Sequence, residues 1–275
     1  MPATVVHPTA VISDDAEIAE GVTIGPYAVI GPKVKIGPGC TIGSHTCIDG
    51  HTVLGANNKI GRHACVGADP QDMSYKGEET FLVVGDNNFL GDYIQVCRGT
   101  LKTPDRLTRI GNNNYLMAYM HVGHDCIIGD SNIMANNVAL AGHVTVENNV
   151  YIGGIVAIHQ FLKIGRFAMV SGGSAASRDV PPYVRVAGYG CDVYGLNIVG
   201  ITRSRQFTPE QIRVIRSIYR IFFREGGSLA ETLVRLRSEF PGDESVEHFC
   251  KFVETAKRGV ARARSYGKGK ASDDE

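Results

Sequence analysis

Residues 120–143, M-H-V-G-H-D-C-I-I-G-D-S-N-I-M-A-N-N-V-A-L-A-G-H, place an aliphatic residue at every sixth position: Val122, Ile128, Met134 and Leu140. A period of six suits neither an α-helix nor a plain strand. It suits a short strand and a turn repeated around a coil. The same series runs upstream from Val6 through Ile12, Ile18, Ile24, Ile30, Ile36, Ile42, Ile48, Leu54 and Ile60 to Val66. It resumes at Val84, Leu90 and Val96, breaks again, and continues from Ile110 to Val170.

Counting the aliphatic residue as the first of six, the fifth is mostly small, as at Ala10, Ala16, Ala28, Val34 and Cys40. Residues two apart in a strand share a face, so the first and fifth positions point inward and the sixth points out. The three between make the turn, where Gly, Asn and Asp tolerate left-handed backbone. Three such faces close a triangular coil, and backbone pairing stacks coils about 4.8 Å apart. His124 and Asp125 occupy turn positions and are expected to face outward. His143 follows Asp125 by 18 residues and Gly142 follows His124 by 18, so all four belong on two adjacent coils.

Residues 68–83 and 102–109 leave the register. Polar, turn-rich insertions of this kind become loops on one edge of a solenoid, often beside a ligand. Asp179-Val180-Pro181-Pro182-Tyr183 ends the coil, because prolines give a ladder no donors. Beyond it the pattern is helical. Thr208 is a candidate N-cap before Pro209, and Ile212, Ile215, Ile218, Tyr219 and Phe222 form an apolar stripe that Gly226-Gly227 ends. Ser228 and Glu231 read as a capping box, and a third helix is expected from about residue 245 to about 262. The expected organisation is a β-solenoid over 1–190, a helical domain over 191–265 and a disordered tail over 266–275.

The formal net charge is +0, so the footprint of a nucleic-acid binder is missing. Gly is abundant at 33 and Trp is absent, as suits many tight turns. The seven Cys form no C-x-x-C pair and follow no secretory segment, which points to reduced thiols in the cytoplasm. No apolar run is long enough to span a bilayer.

Further strings narrow the reading: H-V-G-H-D-C (121–126), L-A-G-H-V (140–144), A-I-H-Q-F (157–161), D-V-P-P-Y (179–183) and G-L-N-I-V-G (195–200). In this order, with the helical tail, they resemble the acyl-ACP:UDP-N-acetylglucosamine O-acyltransferases, which belong to the hexapeptide-repeat acyltransferases. The resemblance implies a mainly β protein, a left-handed parallel β-helix with a C-terminal α-helical domain. It implies transfer of a 3-hydroxyacyl group from acyl carrier protein to the 3-position of UDP-N-acetylglucosamine, the first step of lipid A synthesis. It further implies a cytoplasmic homotrimer with active sites in the clefts between the β-helices of neighbouring copies, and no metal or organic cofactor.

Carried over residue by residue, His124 matches the general base and Asp125 its orienting carboxylate. Gly142 matches the backbone N–H that faces the thioester oxygen. His121, His143, His159 and Gln160 match the lining of the donor or nucleotide cleft. Asp72 matches a sugar ligand, Asn197 and Arg203 match residues reaching the nucleotide or carrier, and Gly172 matches the end of the acyl groove. The residue types suit these roles. Imidazole titrates near neutrality and can take a hydroxyl proton, an adjacent carboxylate fixes its tautomer, and a backbone N–H stabilises an oxyanion. Arg213, Arg216, Arg220 and Arg224 recur along the first long helix and suit docking of an acidic carrier.

The chain departs from the family at Cys97, where His is usual, at Ser74, where Lys is common, and at Val199, where Glu is frequent. These departures keep a 3-amino sugar acceptor, with an amide product, as an alternative. A zinc hydratase using His121, His124 and His143 and a non-catalytic scaffold are more remote ones. The N-acyltransferase of the same pathway usually carries an N-terminal domain ahead of the repeat, which here begins at Val6.

Overall fold

The computed structural model describes residues 3–263. Among these, strands of two to five residues form sheets of eleven, nine and eight strands. The chain visits the sheets in rotation. Thr23–Ile24 lies in the eleven-stranded sheet, Val29–Ile30 in the nine-stranded and Lys35–Ile36 in the eight-stranded; Thr41–Ile42 then returns to pair in parallel with Thr23–Ile24. The result is a triangular prism, a left-handed parallel β-helix with a helical segment at its C-terminal end.

The hexad positions fall where the pattern places them. Ile24, Ala28, Ile30, Val34, Ile36 and Cys40 are buried, whereas Val29 is exposed. Each fully buried aliphatic side chain stabilises the coil by ~1.5–3 kcal/mol. The inward column also holds a polar ladder that the pattern had not shown. Asn88 Nδ2 donates to Asn58 Oδ1 and Asn114 Nδ2 to Asn88 Oδ1, each at 3.0 Å. Neighbouring coils thus satisfy one another's buried amides.

The fourth residue of a hexad takes left-handed backbone, with φ of 57° at Tyr27, 58° at His45, 58° at Asp125 and 61° at His143. Such residues are not confined to Gly, Asn and Asp. The amide of each is held by the coil below, as where His45 N donates to Pro26 O and His63 N to Ser44 O, both at 3.0 Å.

Both insertions leave the same corner of the prism, between the nine- and eight-stranded faces. The first departs after Cys65–Ala68 and rejoins at Phe81–Val84. The second departs after Gln95–Cys97 and rejoins at Leu107–Ile110. The loops are therefore 69–80 and 98–106. Residues 81–83 and 107–109, expected in the loops, are strand, because a six-residue count marks only the inward residue at which each strand ends.

The coil stops at the expected prolines. Pro181 and Pro182 are buried, and Val184–Ala187 and Asp192–Leu196 form an antiparallel hairpin on the end of the eleven-stranded sheet. Helix α1 (Ile198–Ser204) follows, then α2 (Pro209–Phe223), α3 (Leu229–Glu239) and α4 (Glu244–Glu254). Capping boxes close α2 at Thr208 and Gln211 and α3 at Ser228 and Glu231, each cap contributing ~1 kcal/mol. Ile218, Ile221, Leu236, Val246, Phe249 and Val253 form the core of this part. Helix α2 ends before Gly226. Helix α4 ends at Glu254 rather than near 262, because the chain turns at Gly259 (φ 69°) and bridges back to the coil through Val260 and Ala263. The expected tail over 266–275 lies outside the described residues.

Candidate active site

His124 and Asp125 sit at the insertion-bearing corner, between His121–Val122 of the nine-stranded face and Ile127–Ile128 of the eight-stranded face. Their coil lies one above the second insertion, and that loop folds over them. Asp125 is consequently buried, its side chain 0% exposed, and does not face solvent as its turn position had implied. Its carboxylate accepts from Thr100 N at 2.8 Å, Thr100 Oγ1 at 2.7 Å and Thr103 Oγ1 at 2.8 Å. Burial alone would raise its pKa, but the bonds from His124, Thr100 and Thr103 outweigh that and hold it below the usual carboxylate range.

The remaining bond to that carboxylate fixes the imidazole. His124 Nδ1 lies 2.7 Å from Asp125 Oδ2. An ionised carboxylate only accepts, so Nδ1 carries the proton and Nε2 keeps a lone pair. The ring is 14% exposed, enough for a substrate to reach it. It lies under Gly142, which stands one coil up. A Cβ on Gly142 would stand 2.6 Å from Cε1 and 2.7 Å from Nε2, so the ring occupies space that only glycine leaves. Among the described residues no acceptor takes the Gly142 N–H, whereas His143 N donates to His124 O at 2.9 Å.

His143 stands in the same column. Its Nε2 is 3.5 Å from Asp125 Oδ2, and its ring meets that of His124 edge-on at 5.1 Å and stacks on Phe161 at 4.5 Å. Burial pushes the His143 imidazole below its ordinary pKa, against the pull of Asp125. His121, also lowered by burial, bonds Gln95 Oε1 at 3.1 Å. His159 and Gln160 are exposed at the same corner one coil further up.

Asp72 comes from the first insertion. Ser74 donates to its Oδ1 through N at 2.9 Å and Oγ at 2.7 Å, and Lys102 of the second insertion pairs with its Oδ2. Lys102 and Ser74 hold Asp72 well below the usual carboxylate range. Arg98 ties the first loop down, bonding Gly67 O, Asp69 and the Tyr75 hydroxyl. Thr100, Thr103, Lys102 and Arg98 were not singled out in the sequence. Of these, only Lys102 and Thr103 fall in the segment, 102–109, whose departure from the register marks it as a loop.

The other predicted residues lie elsewhere. Asn197 and Arg203 line a cleft of about 630 Å³ against the outer side of the eleven-stranded face, with Ile133, Tyr151 and Met169. In a triangular prism that face is opposite the corner carrying His124. Asn197 is buried and engaged, donating to Phe167 O at 2.9 Å and accepting from Gly200 N at 3.2 Å as the cap of α1. Arg203 is exposed on the rim. Gly172 lies at a third place, exposed at the corner between the eleven- and nine-stranded faces. The three departures from the family pattern do not share one shell within the chain. Ser74 touches Asp72, Val199 lines the far cleft, and Cys97 is buried with its thiol pushed up to about 11 by that burial.

The group with metal-ligand spacing among the described residues is His124, Asp125 and His143. It leaves out His121, which the hydratase reading needed. The arrangement as a whole can take a proton at His124 Nε2, stabilise the resulting imidazolium through Asp125, and offer a backbone N–H to a developing oxyanion beside it.

Comparison with known proteins identifies the family. Residues 179–261 match the family model for domain 2 of UDP-N-acetylglucosamine O-acyltransferase. Residues 15–50 and 107–142 match the bacterial transferase hexapeptide model. A relative from Alkalilimnicola ehrlichii, named acyl-[acyl-carrier-protein]–UDP-N-acetylglucosamine O-acyltransferase, is 48% identical over 94% of this chain and 100% of its own length. One of the same name from Burkholderia lata is 44% identical over the same shares. The solved structure of LpxA from Acinetobacter baumannii superposes with a TM-score of 0.89 at 40% identity, covering 94% of this chain and 100% of that one.

Proposed function

Because the chain belongs to the acyl-ACP–UDP-N-acetylglucosamine O-acyltransferase family, and is therefore an acyltransferase, we propose that His124, Asp125 and Gly142 carry its reaction. The activity is transfer of a 3-hydroxyacyl group from acyl carrier protein to the 3-hydroxyl of UDP-N-acetylglucosamine, the first step of lipid A biosynthesis. The observation that carries the assignment of residues is the bond between His124 Nδ1 and the buried Asp125, which leaves Nε2 without a partner among the described residues and directly beneath Gly142.

In this mechanism Nε2 takes the proton of the sugar hydroxyl as the oxygen attacks the thioester carbonyl. Asp125 stabilises the imidazolium. The Gly142 N–H stabilises the oxyanion, worth about 3 kcal/mol. Collapse breaks the C–S bond, and the imidazolium returns its proton to the departing thiolate. His121 and His143, lowered by burial, stay neutral near pH 7 and act as polar lining beside His124. The relatives lend no support to the amide, hydratase or scaffold readings.

The acceptor and acyl ends of the site need a second copy. Asp72, His121, His143, His159 and Gln160 gather at one corner, whereas Asn197 and Arg203 lie on the opposite face and Gly172 on another corner. A corner of one prism seated against the eleven-stranded face of the next is a head-to-tail contact, and such contacts close into a ring when the rotation allows. Three copies, three sites and a cytoplasmic location complete the proposal. The helical unit that receives the carrier would begin at α1 rather than at the expected division of 190/191, because Asp192–Leu196 still pairs with the coil. Among the described residues no helix is long and apolar enough to cross a membrane. On α2 Arg213 pairs with Glu210 and Arg220 with Glu225, whereas among the described residues Arg216 meets no carboxylate and Arg224, just past the helix, bonds only the neutral Tyr219 hydroxyl, so these two cations of the row are the ones open to an acidic carrier.

The test is turnover of a panel of 3-hydroxyacyl carriers with UDP-N-acetylglucosamine, with product mass read directly. The expected product is the 3-O-ester, with preference for longer chains because Gly172 adds no side chain to the groove. Gly172→Met should shift that preference to shorter acyl groups. A Cβ there meets Gly154 O at 3.1 Å and Gly154 N at 3.6 Å, so the Gly154 carbonyl has to give by a few tenths of an ångström, and a thermal melt beside the assay separates that cost from a shortened groove. Unchanged chain-length selectivity in that variant would remove the groove assignment.

A further inference from the structure

We propose that Lys102 is the positioning residue for Asp72 in this chain, and that it joins acceptor binding to the carboxylate behind the catalytic histidine. This rests on the acyltransferase reading above and deepens it. Lys102 stands on the second insertion, yet its Nζ pairs with Asp72 Oδ2 on the first, thirty residues away in sequence. Ser74 occupies both acceptor directions of Asp72 Oδ1. With Lys102 on Oδ2, the carboxylate has one free lone-pair direction, and its orientation is fixed from two loops at once. Asp72 is 10% exposed and Lys102 52% exposed, so the carboxylate is the enclosed partner and the ammonium the accessible one.

The backbone beside Lys102 makes the second connection. Lys102 N donates to Thr100 Oγ1 at 3.1 Å, and that same hydroxyl donates to Asp125 Oδ2 at 2.7 Å. Thr103, one residue on, bonds Asp125 Oδ1. Within the four residues 100–103, Thr100 and Thr103 therefore hold Asp125 while Lys102 holds Asp72. The Lys102–Asp72 pair also lies close enough to His143 for both charges to be felt there. An acceptor sugar that bonds the open lone pair of Asp72 is thus placed by the segment that sets the tautomer of His124. The lysine common in the family at position 74 is serine here. Ser74 supplies neutral hydrogen bonds and the cation comes from the other loop, so the charge on Asp72 is balanced from a different point of the chain.

The experiment uses the full-length enzyme, with UDP-N-acetylglucosamine and a 3-hydroxyacyl carrier varied separately. Lys102→Met is expected to raise KM for the UDP-sugar on the order of tenfold, the loss of one charge-assisted hydrogen bond, with KM for the acyl carrier unchanged. Lys102→Arg keeps the cation and should recover most of the loss. Moving the lysine in the double variant Ser74→Lys, Lys102→Met should also restore the acceptor KM. An acceptor KM unchanged in Lys102→Met would overturn the proposal. So would equal rises in both KM values, or failure of both the arginine and the relocated lysine to rescue. Absence of acyl transfer in the wild-type protein would instead overturn the functional reading beneath it.

Discussion

Replacing His124 with alanine is expected to lower kcat by roughly 10²–10⁴-fold, the range a positioned general base contributes. Folding should be intact. The ring sits on the outside of the coil and makes no contribution to the inward aliphatic columns, so the melting temperature should stay close to that of the wild type. What disappears is the Nε2 lone pair beneath Gly142. Asp125 would remain ionised, because Thr100 and Thr103 still donate to it, and it is too enclosed to act on the sugar itself. A steady-state assay with product mass detection, beside a thermal melt of the same preparation, checks both halves. A variant with wild-type kcat would end the general-base assignment.

Adding a single methyl group at Gly142 should have the second largest effect. The backbone there is not left-handed, so alanine meets no conformational penalty of its own. Its Cβ would lie 2.6–2.7 Å from Cε1 and Nε2 of His124. Those atoms are the free end of a side chain, whereas the coil beneath is held by ladder bonds on both sides, so the ring yields rather than the backbone. Swinging it off Asp125 loses the fixed tautomer, and a displacement of about 1 Å in a catalytic group can cost 10²-fold. Gly142→Ala is therefore expected to lose roughly 10²-fold in kcat while melting as the wild type does. Adding it to His124→Ala should cost little more, since both act through one imidazole. Additive losses would show that Gly142 acts independently of the ring.

The prism was legible because its signal is redundant. Aliphatic residues from Val6 to Val170 repeat one choice, and a coil of 18 residues puts Gly142 over His124 and His143 over Asp125 by arithmetic alone. The burial of Asp125 was not legible. It depends on Thr100 and Thr103, which lie outside the six-residue count in a loop whose path no period dictates. Lys102 was hidden for the same reason, since its partner stands on a different loop. Helix α1 escaped notice because seven residues form too few turns for an apolar stripe. Helix α4 was read too long because the apolar residues past Glu254 continue a helical rhythm while Gly259 turns the chain back to the coil. Cys97 is buried although it follows the inward Val96, beside an irregular pairing, Ala68 with Cys97 after Val66 with Val96, that no hexad count contains.

That the site is built from the His124 corner of one copy and the Arg203 face of the next is tested most directly by mixing two defective chains. His124→Ala and Arg203→Glu are each expected to form inactive oligomers. Co-refolded, they should regain activity, because mixed rings contain sites with an intact His124 from one chain and an intact Arg203 from its neighbour. If mixed oligomers form by mass and stay inactive, or if Arg203→Glu alone retains full turnover, the site is not shared between copies in this way.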